Sequence, residues 1–305
     1  MIGTLIEREG KCLQASVFVG IFQNIVYMKK DELKKEFYKE ISMFNHKYPT
    51  WAIWNDFLYM SAISIANSVP VKERQEREEL YLKIVAKYNK AELNTFVNML
   101  RILIDALEIC PEQDFLGEMY HALKLQQNQK GQFFTPYNIC EFMSEMQIEH
   151  NIRLLEDRNY ITVNDPACGA GATLIAFANV ALKHKVNYQQ KILFVAQDID
   201  LTATLMCYLQ LSLLGCNAVV IRGDSLAKPG LHKDNDIWIT PMYFINQWRF
   251  RDFWKQNKAL EVEKESKAPE TEKNILTDEV TLTSGAAMPF DFKVNKNGQL
   301  QLNLW

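Results

Sequence analysis

The most restrictive feature of this sequence is a change of texture at Gly131. From there to about Trp254, short apolar runs of strand length alternate with segments long enough for helices. The runs are Tyr160-Ile161-Thr162-Val163, Ile192-Leu193-Phe194-Val195-Ala196, Ala218-Val219-Val220-Ile221 and Ile237-Trp238-Ile239. Strand and helix in alternation predict an α/β fold with a parallel sheet covered on both faces. Ahead of it, from Lys29 to about Leu125, nearly everything has helical period: Leu33, Phe37 and Ile41 share one face while charges occupy the other. Pro49, Pro70 and Pro111 punctuate further helices, and no glycine occurs between Gly20 and Gly117, as expected of a helical bundle. Trp51 to Val69 reads as a buried helix with one polar side, and Glu73 to Tyr88 as a solvated outer helix.

The expected organisation is therefore a helical domain at 1–130 and an α/β core at 131–254. A charged linker or loop follows at 255–289, and a terminal hairpin at 290–305, around Asn297-Gly298, is placed to complete the sheet. With 305 residues, 48% hydrophobic and 23% charged, wholesale disorder is excluded. Lys and Arg total 34 against 37 Asp and Glu, and the whole net charge of -3 falls within residues 131–248. There is no basic surplus, so a polyanionic partner must be held by a local patch or with help. Six cysteines show no C-x-x-C spacing, and none pairs with a histidine at metal-ligand distance, so a reducing cytoplasm and no metal are expected. The apolar stretch Cys12 to Met28 is broken by Gln14, Ser16, Gln23 and Asn24 and reads poorly as a signal peptide or membrane span.

Chemistry concentrates where strands end. Asn164-Asp165-Pro166-Ala167-Cys168-Gly169-Ala170-Gly171 stands directly after the first strand and before a helical stretch. Glycines there allow backbone to approach a ligand, and an acid at a strand's carboxyl end can meet a cation or hydroxyl. The second strand ends in Asp198, suited to a ribose diol, and the third in Gly223-Asp224-Ser225. Any one of these acids can equally be a helix cap; three in register with a glycine turn favour a common crevice. Cys168 reads as a small packing residue. The cluster Trp248, Arg249, Phe250, Arg251, Phe253 and Trp254 fits either base stacking or, preferably, a helix packed on the sheet.

The order Gly131-Gln132-Phe133-Phe134-Thr135-Pro136, then Asp165-Pro166-Ala167-Cys168-Gly169-Ala170-Gly171, then Asp198 and Gly223-Asp224-Ser225-Leu226 resembles the N6-adenine DNA methyltransferases, above all the modification subunits of type I restriction systems. The resemblance implies a Rossmann-like methyltransferase sheet with an N-terminal helical domain, and S-adenosylmethionine as cofactor. By that resemblance Phe134, Thr135 and Pro136 close over the cofactor, while Asp165, Ala167, Cys168, Gly169 and Gly171 hold its methionine part. Asp198 takes the ribose, and Asp224 with Ser225 meets the adenine ring. The family's catalytic tetrapeptide, (Asn, Asp or Ser)-Pro-Pro-(Tyr or Phe), is matched incompletely by Thr240-Pro241-Met242-Tyr243. Thr240 and the Pro241 carbonyl would accept hydrogen bonds from the target amine, and Tyr243 would stack on a base flipped from double-stranded DNA.

Two readings follow from the resemblance. In the first the chain methylates adenine N6 in DNA, an RNA base or a protein amide being less favoured acceptors. In the second Thr240 and Met242 mark a catalytically impaired module that binds cofactor and DNA or a partner. The 62 residues after Tyr243 are too few for a target-recognition domain, so a separate specificity or restriction subunit is expected.

Overall fold

The computed structural model describes residues 28–70, 72–125, 134–247 and 250, together with two short strands near the C-terminus. Its helical part begins with α1 (28–42), whose stripe behaves as its period requires: Leu33, Phe37 and Ile41 are 8%, 0% and 1% exposed. The central helix α2 (Thr50–Ala66) is buried on most sides through Trp54, Phe57 and Leu58. Two of its polar residues bridge to other parts of the chain. Asp56 accepts hydrogen bonds from Lys87 and from the Tyr88 hydroxyl, and Asn55 accepts one from Thr202. The helix α3 (Arg74–Val85) is the solvated one, burying only Arg77 and Ile84. The helix α4 (Lys90–Ile109) starts at a capping box, in which the Asn89 side chain accepts from the Glu92 amide while Glu92 accepts from the Asn89 amide. A short α5 (Phe115–Ala122) is capped by Asp114.

The second part opens with α6 (Tyr137–Asp157), and then β1 (Ile161–Asp165), α7 (Ala172–Lys183), α8 (Tyr188–Lys191), β2 (Ile192–Asp198), α9 (Leu201–Leu213), β3 (Ala218–Arg222), β4 (Asp236–Ile239) and α10 (Pro241–Asn246) follow. Strand order in the sheet is β1-β2-β3-β4. The first three strands run parallel, with Asp165 level with Ala196 and Asp198 level with Arg222. Near the C-terminus, β5 (Phe292–Val294) and β6 (Leu300–Leu302) pair antiparallel with each other in a separate two-stranded sheet.

The expectation of an all-parallel sheet is corrected at β4, which runs antiparallel to β3 with Val219 opposite Ile239 and Arg222 opposite Asp236. The cause is the connection. A parallel return is usually built around a crossover helix, whereas residues 223–235, though long enough for one, form only turns and bends. Arg77 of α3 then fastens the strand: its guanidinium donates to the Ile237 carbonyl at 2.9 Å and lies 3.9 Å over the Trp238 ring. The indole in turn donates to Asp236.

One continuous apolar core joins Phe37, Trp54 and Phe115 of the helical part to Phe194, Val220 and Trp238 of the sheet, through α7 and α9. Burial of each such side chain contributes on the order of 1.5–3 kcal/mol. The other face of the sheet is covered differently from the expectation of helices on both sides. Among the described residues its cover is Tyr243 of α10, Phe250 and the Leu231 loop, over Leu193, Val195, Val219 and Ile221.

Candidate cofactor site

Because β1 to β3 are parallel, their carboxyl ends lie at one end of the sheet, and the chain leaving β1 turns over them. The Cys168 amide donates to the Gln197 carbonyl at 3.0 Å, and the Gly169 amide to Asp198 Oδ2 at 2.9 Å. The turn is thus tied to the end of β2. Gly169 and Gly171 have φ of +54° and +96°, left-handed conformations that L side chains rarely adopt. Space is as restrictive as conformation. A Cβ on Gly169 would stand 2.9 Å from the Phe134 ring, and one on Gly171 2.9 Å from Cys207 Sγ. The glycines therefore admit protein as well as any ligand: an aromatic ring on one side and α9 on the other.

Asp165 uses both oxygens at the head of the turn. One oxygen accepts from the Ala167 amide at 3.0 Å and the other from the Thr173 hydroxyl in the first turn of α7. Asp198 also uses both oxygens, accepting from Gly169 and, at 2.9 Å, from the Asp200 amide. Burial pushes the Asp198 carboxyl above its usual range, against the pull of those two amides. Asp224 accepts from the amides of Leu226 and Ala227, which hold its carboxyl below the usual range. It caps a turn.

Beside the glycine turn lies a cavity of about 370 Å³, within the ~300–1,000 Å³ typical of small-molecule sites. Six of the residues expected from sequence line it: Phe134, Thr135, Asp165, Ala167, Cys168 and Gly169. Phe134 is braced there, stacked on Tyr120 with ring centroids 5.7 Å apart. Pro136 stands just outside as the N-cap of α6, and Gly171 is packed under Cys207. Ser225 faces a second cavity of about 250 Å³, against Thr162, Asn164 and Gln197. The two cavities share Asn164 and Pro166. Sequence reasoning missed the α6 wall, Met143, Ser144 and Gln147, as well as Thr173. Only Thr173 carried a signal, as a hydroxyl one turn beyond a glycine-rich bend.

Thr240, Pro241 and Tyr243 lie at the other end of the sheet. Because β4 is antiparallel, its last residue leads to the amino end of β3. The Thr240 hydroxyl donates to the Cys216 carbonyl at 2.7 Å and accepts from the Ala218 amide at 2.9 Å. Four residues of β3, at ~3.3 Å each, put this roughly 13 Å along the sheet from Asp198, which is level with Arg222. Thr240 is 0% and Tyr243 4% exposed, and Tyr243 stacks on Phe250 with centroids 5.8 Å apart. Pro241 opens α10 at its first position, where a missing N–H costs nothing. The tetrapeptide is built into the fold and does not meet the cavity. Phe250 takes the packing role expected of its cluster; Trp248, Arg249, Arg251, Phe253 and Trp254 lie outside the described residues, as does Gly131 to Phe133.

Among the described residues no group of His, Cys, Asp and Glu is arranged to hold a metal, and no helix is long and apolar enough to cross a membrane. A three-stranded parallel core with a glycine turn and two acids over one end defines an α/β protein with a cavity of small-molecule size at its strand ends. Residues 111–276 match the family model for N-6 DNA methylase, and the chain belongs to that family of DNA methyltransferases. A search of the curated proteins found no match.

Buried Asp114, where the family match begins, offers a test by pH. Burial raises its carboxyl above the ordinary 3.8, opposed by donors from Gln210 and Gly117, with Glu118 raising it and His121 lowering it by charge. A raised native value means that the folded protein holds this proton more tightly than the unfolded chain. Stability is therefore lost as pH rises from the unfolded value through the native one. Asp114→Asn keeps an acceptor for both donors and removes that loss. Its melting temperature relative to the parent is expected to climb as pH rises above about 4, the ordinary carboxylate range; a difference that is flat or falling with pH would refute the assignment.

Proposed function

We propose that this chain binds S-adenosylmethionine at the carboxyl ends of β1 and β2 and serves as the cofactor-binding module of a system that methylates adenine N6 in DNA. In this reading it acts in the cytoplasm, together with a specificity or restriction subunit, on double-stranded DNA from which the target base is flipped. Phe134, Thr135, Asp165, Ala167, Cys168 and Gly169 would hold the cofactor, Asp198 would shape the turn through Gly169, and Asp224 its neighbouring loop. The fit is chemical as well as volumetric: a carboxylate and an aromatic ring border the cavity, suiting a ligand that carries an ammonium and a sulfonium. When bound, S-adenosylmethionine supplies an already activated methyl group, so neither metal nor general base is required of the protein.

The observation that carries the modular reading is the Thr240 hydroxyl, buried and bonded at the amino end of β3 instead of facing the cavity. Titration calorimetry with S-adenosylmethionine, followed by labelled methyl transfer to unmethylated DNA, tests it. Stoichiometric binding without transfer by the isolated chain is the expected result. Transfer by the chain alone would sink the modular reading, and absence of binding would sink any cofactor role.

The second reading, a complete adenine-specific methyltransferase, is favoured by a family match that spans both the glycine turn and residues 240–243. The variant Thr240→Asn/Met242→Pro, which rebuilds the family tetrapeptide, separates the two. A larger side chain at a fully buried site, with both hydroxyl bonds disturbed, should cost about 1–3 kcal/mol of stability without any gain of transfer. Gain of transfer at unchanged stability would support the enzyme reading instead.

A further inference from the structure

Gln210 of α9 is fully buried, 0% exposed, and yet makes three hydrogen bonds to parts of the chain that are distant in sequence. Its Nε2 donates to the Ala170 carbonyl at 2.9 Å and to Asp114 Oδ1 at 2.8 Å, while its Oε1 accepts from the Leu116 amide at 3.0 Å. Asp114 Oδ1 simultaneously accepts from the Gly117 amide at 2.8 Å, closing the cap of α5. One amide group thus joins the end of the helical part, the last turn of α9 and the glycine turn. Ala170 is 1% exposed, so water is a poor substitute for the lost donor.

The Ala170 carbonyl matters because of its place. It lies between Gly169 and Gly171, the two left-handed residues of the turn. The peptide between Ala170 and Gly171 is planar and trans, so pinning the carbonyl one way points the Gly171 N–H the opposite way, where it donates to the Cys168 carbonyl at 2.8 Å. Holding one atom therefore sets the rotation of the whole peptide and the entry angle of α7. Glycines have no steric preference of their own that would do this.

We propose that Gln210 is a positioning residue for the cofactor turn, anchored on the Asp114 cap of α5 and fixing the peptide between Ala170 and Gly171; its consequence for binding rests on the cofactor reading above. Three variants of the full chain test it. Gln210→Met keeps the length and removes every bond, and is expected to weaken S-adenosylmethionine binding roughly tenfold or more, by analogy with the groups that orient metal ligands, whose loss costs about 10–100-fold. Gln210→Glu sets a carboxylate beside Asp114 and a carbonyl; its affinity relative to the parent at the same pH should recover as pH is lowered and the new carboxyl regains a proton to donate. Asp114→Asn, which keeps the acceptor, should bind within about twofold of the parent.

Calorimetry is run well below each melting temperature, and hydrogen exchange at the Gly171 amide is followed without ligand. Selective loss of Gly171 protection in Gln210→Met, at least tenfold beyond any change in α9, is the expected outcome. A lowered melting temperature with unchanged affinity, or Gly171 protection that falls only in step with α9, would overturn the proposal. Should the parent bind no S-adenosylmethionine, the cofactor reading fails, and the exchange measurement still decides whether Gln210 fixes the turn.

Discussion

Tyr243→Ala is expected to destabilise the protein by about 3 kcal/mol while leaving its affinity for S-adenosylmethionine within about twofold. Tyr243 is almost completely buried, stacked on Phe250 above Leu193, Val195, Val219 and Ile221. Truncating a large aromatic ring in a packed cluster costs about 3–5 kcal/mol, and the low end applies where the cover can collapse onto the gap. The ring stands at the amino end of the sheet, away from the glycine turn, so the cofactor cavity loses no contact. Denaturant unfolding read beside a calorimetric titration checks both halves. Unchanged stability combined with lost DNA binding or methyl transfer would mean that the ring serves a base, and that the buried arrangement is not the working one.

Gly171→Ala carries the second large effect, about 3 kcal/mol of stability together with loss of measurable cofactor binding. A residue with a Cβ at φ of +96° is strained by about 1–2 kcal/mol. Its added carbon, 2.9 Å from Cys207 Sγ, forces either the turn or α9 to move, at a further ~1–3 kcal/mol. Cys207→Ala in the same chain is a control, since it removes the sulfur and leaves the backbone strain. The double variant should regain part of the stability, with most of the binding defect remaining. Full recovery of both would place the whole effect in packing, and no recovery of stability would place it in the backbone alone.

How far such a site is legible depends on which facts are local. The stripe of Leu33, Phe37 and Ile41 and the four apolar runs mark elements because helical and extended backbones each dictate a period and a length. All four runs are strands, and the acids at the ends of β1 and β2 meet the glycine turn. The direction of β4 is a different kind of fact. An apolar run such as Ile237-Trp238-Ile239 reads the same whichever way the strand points. Evidence lay only in the connection, where Pro229-Gly230 and the lack of helical period argue against a parallel return. The anchor that secures the strand, Arg77, is 160 residues from Ile237, and nothing in its helix distinguishes it from neighbouring exposed charges. Asp224 shows the same ambiguity on a smaller scale: an acid at a strand end can serve a ligand or cap a turn, and here its bonds go to the turn.

By itself, then, the sequence determined the family, the helical and α/β halves, and a glycine turn at a strand end with acids beside it. These are properties of short segments, set by periodicity, by left-handed glycines and by the order of motifs along one chain. Tertiary structure alone decided that Thr240 and Tyr243 belong to the fold's interior, that Asp198 spends its oxygens on backbone amides, and that Gln210 links the helical part to the turn. Each of those outcomes depends on which groups meet across long stretches of chain, where burial makes an unpaired donor or acceptor costly.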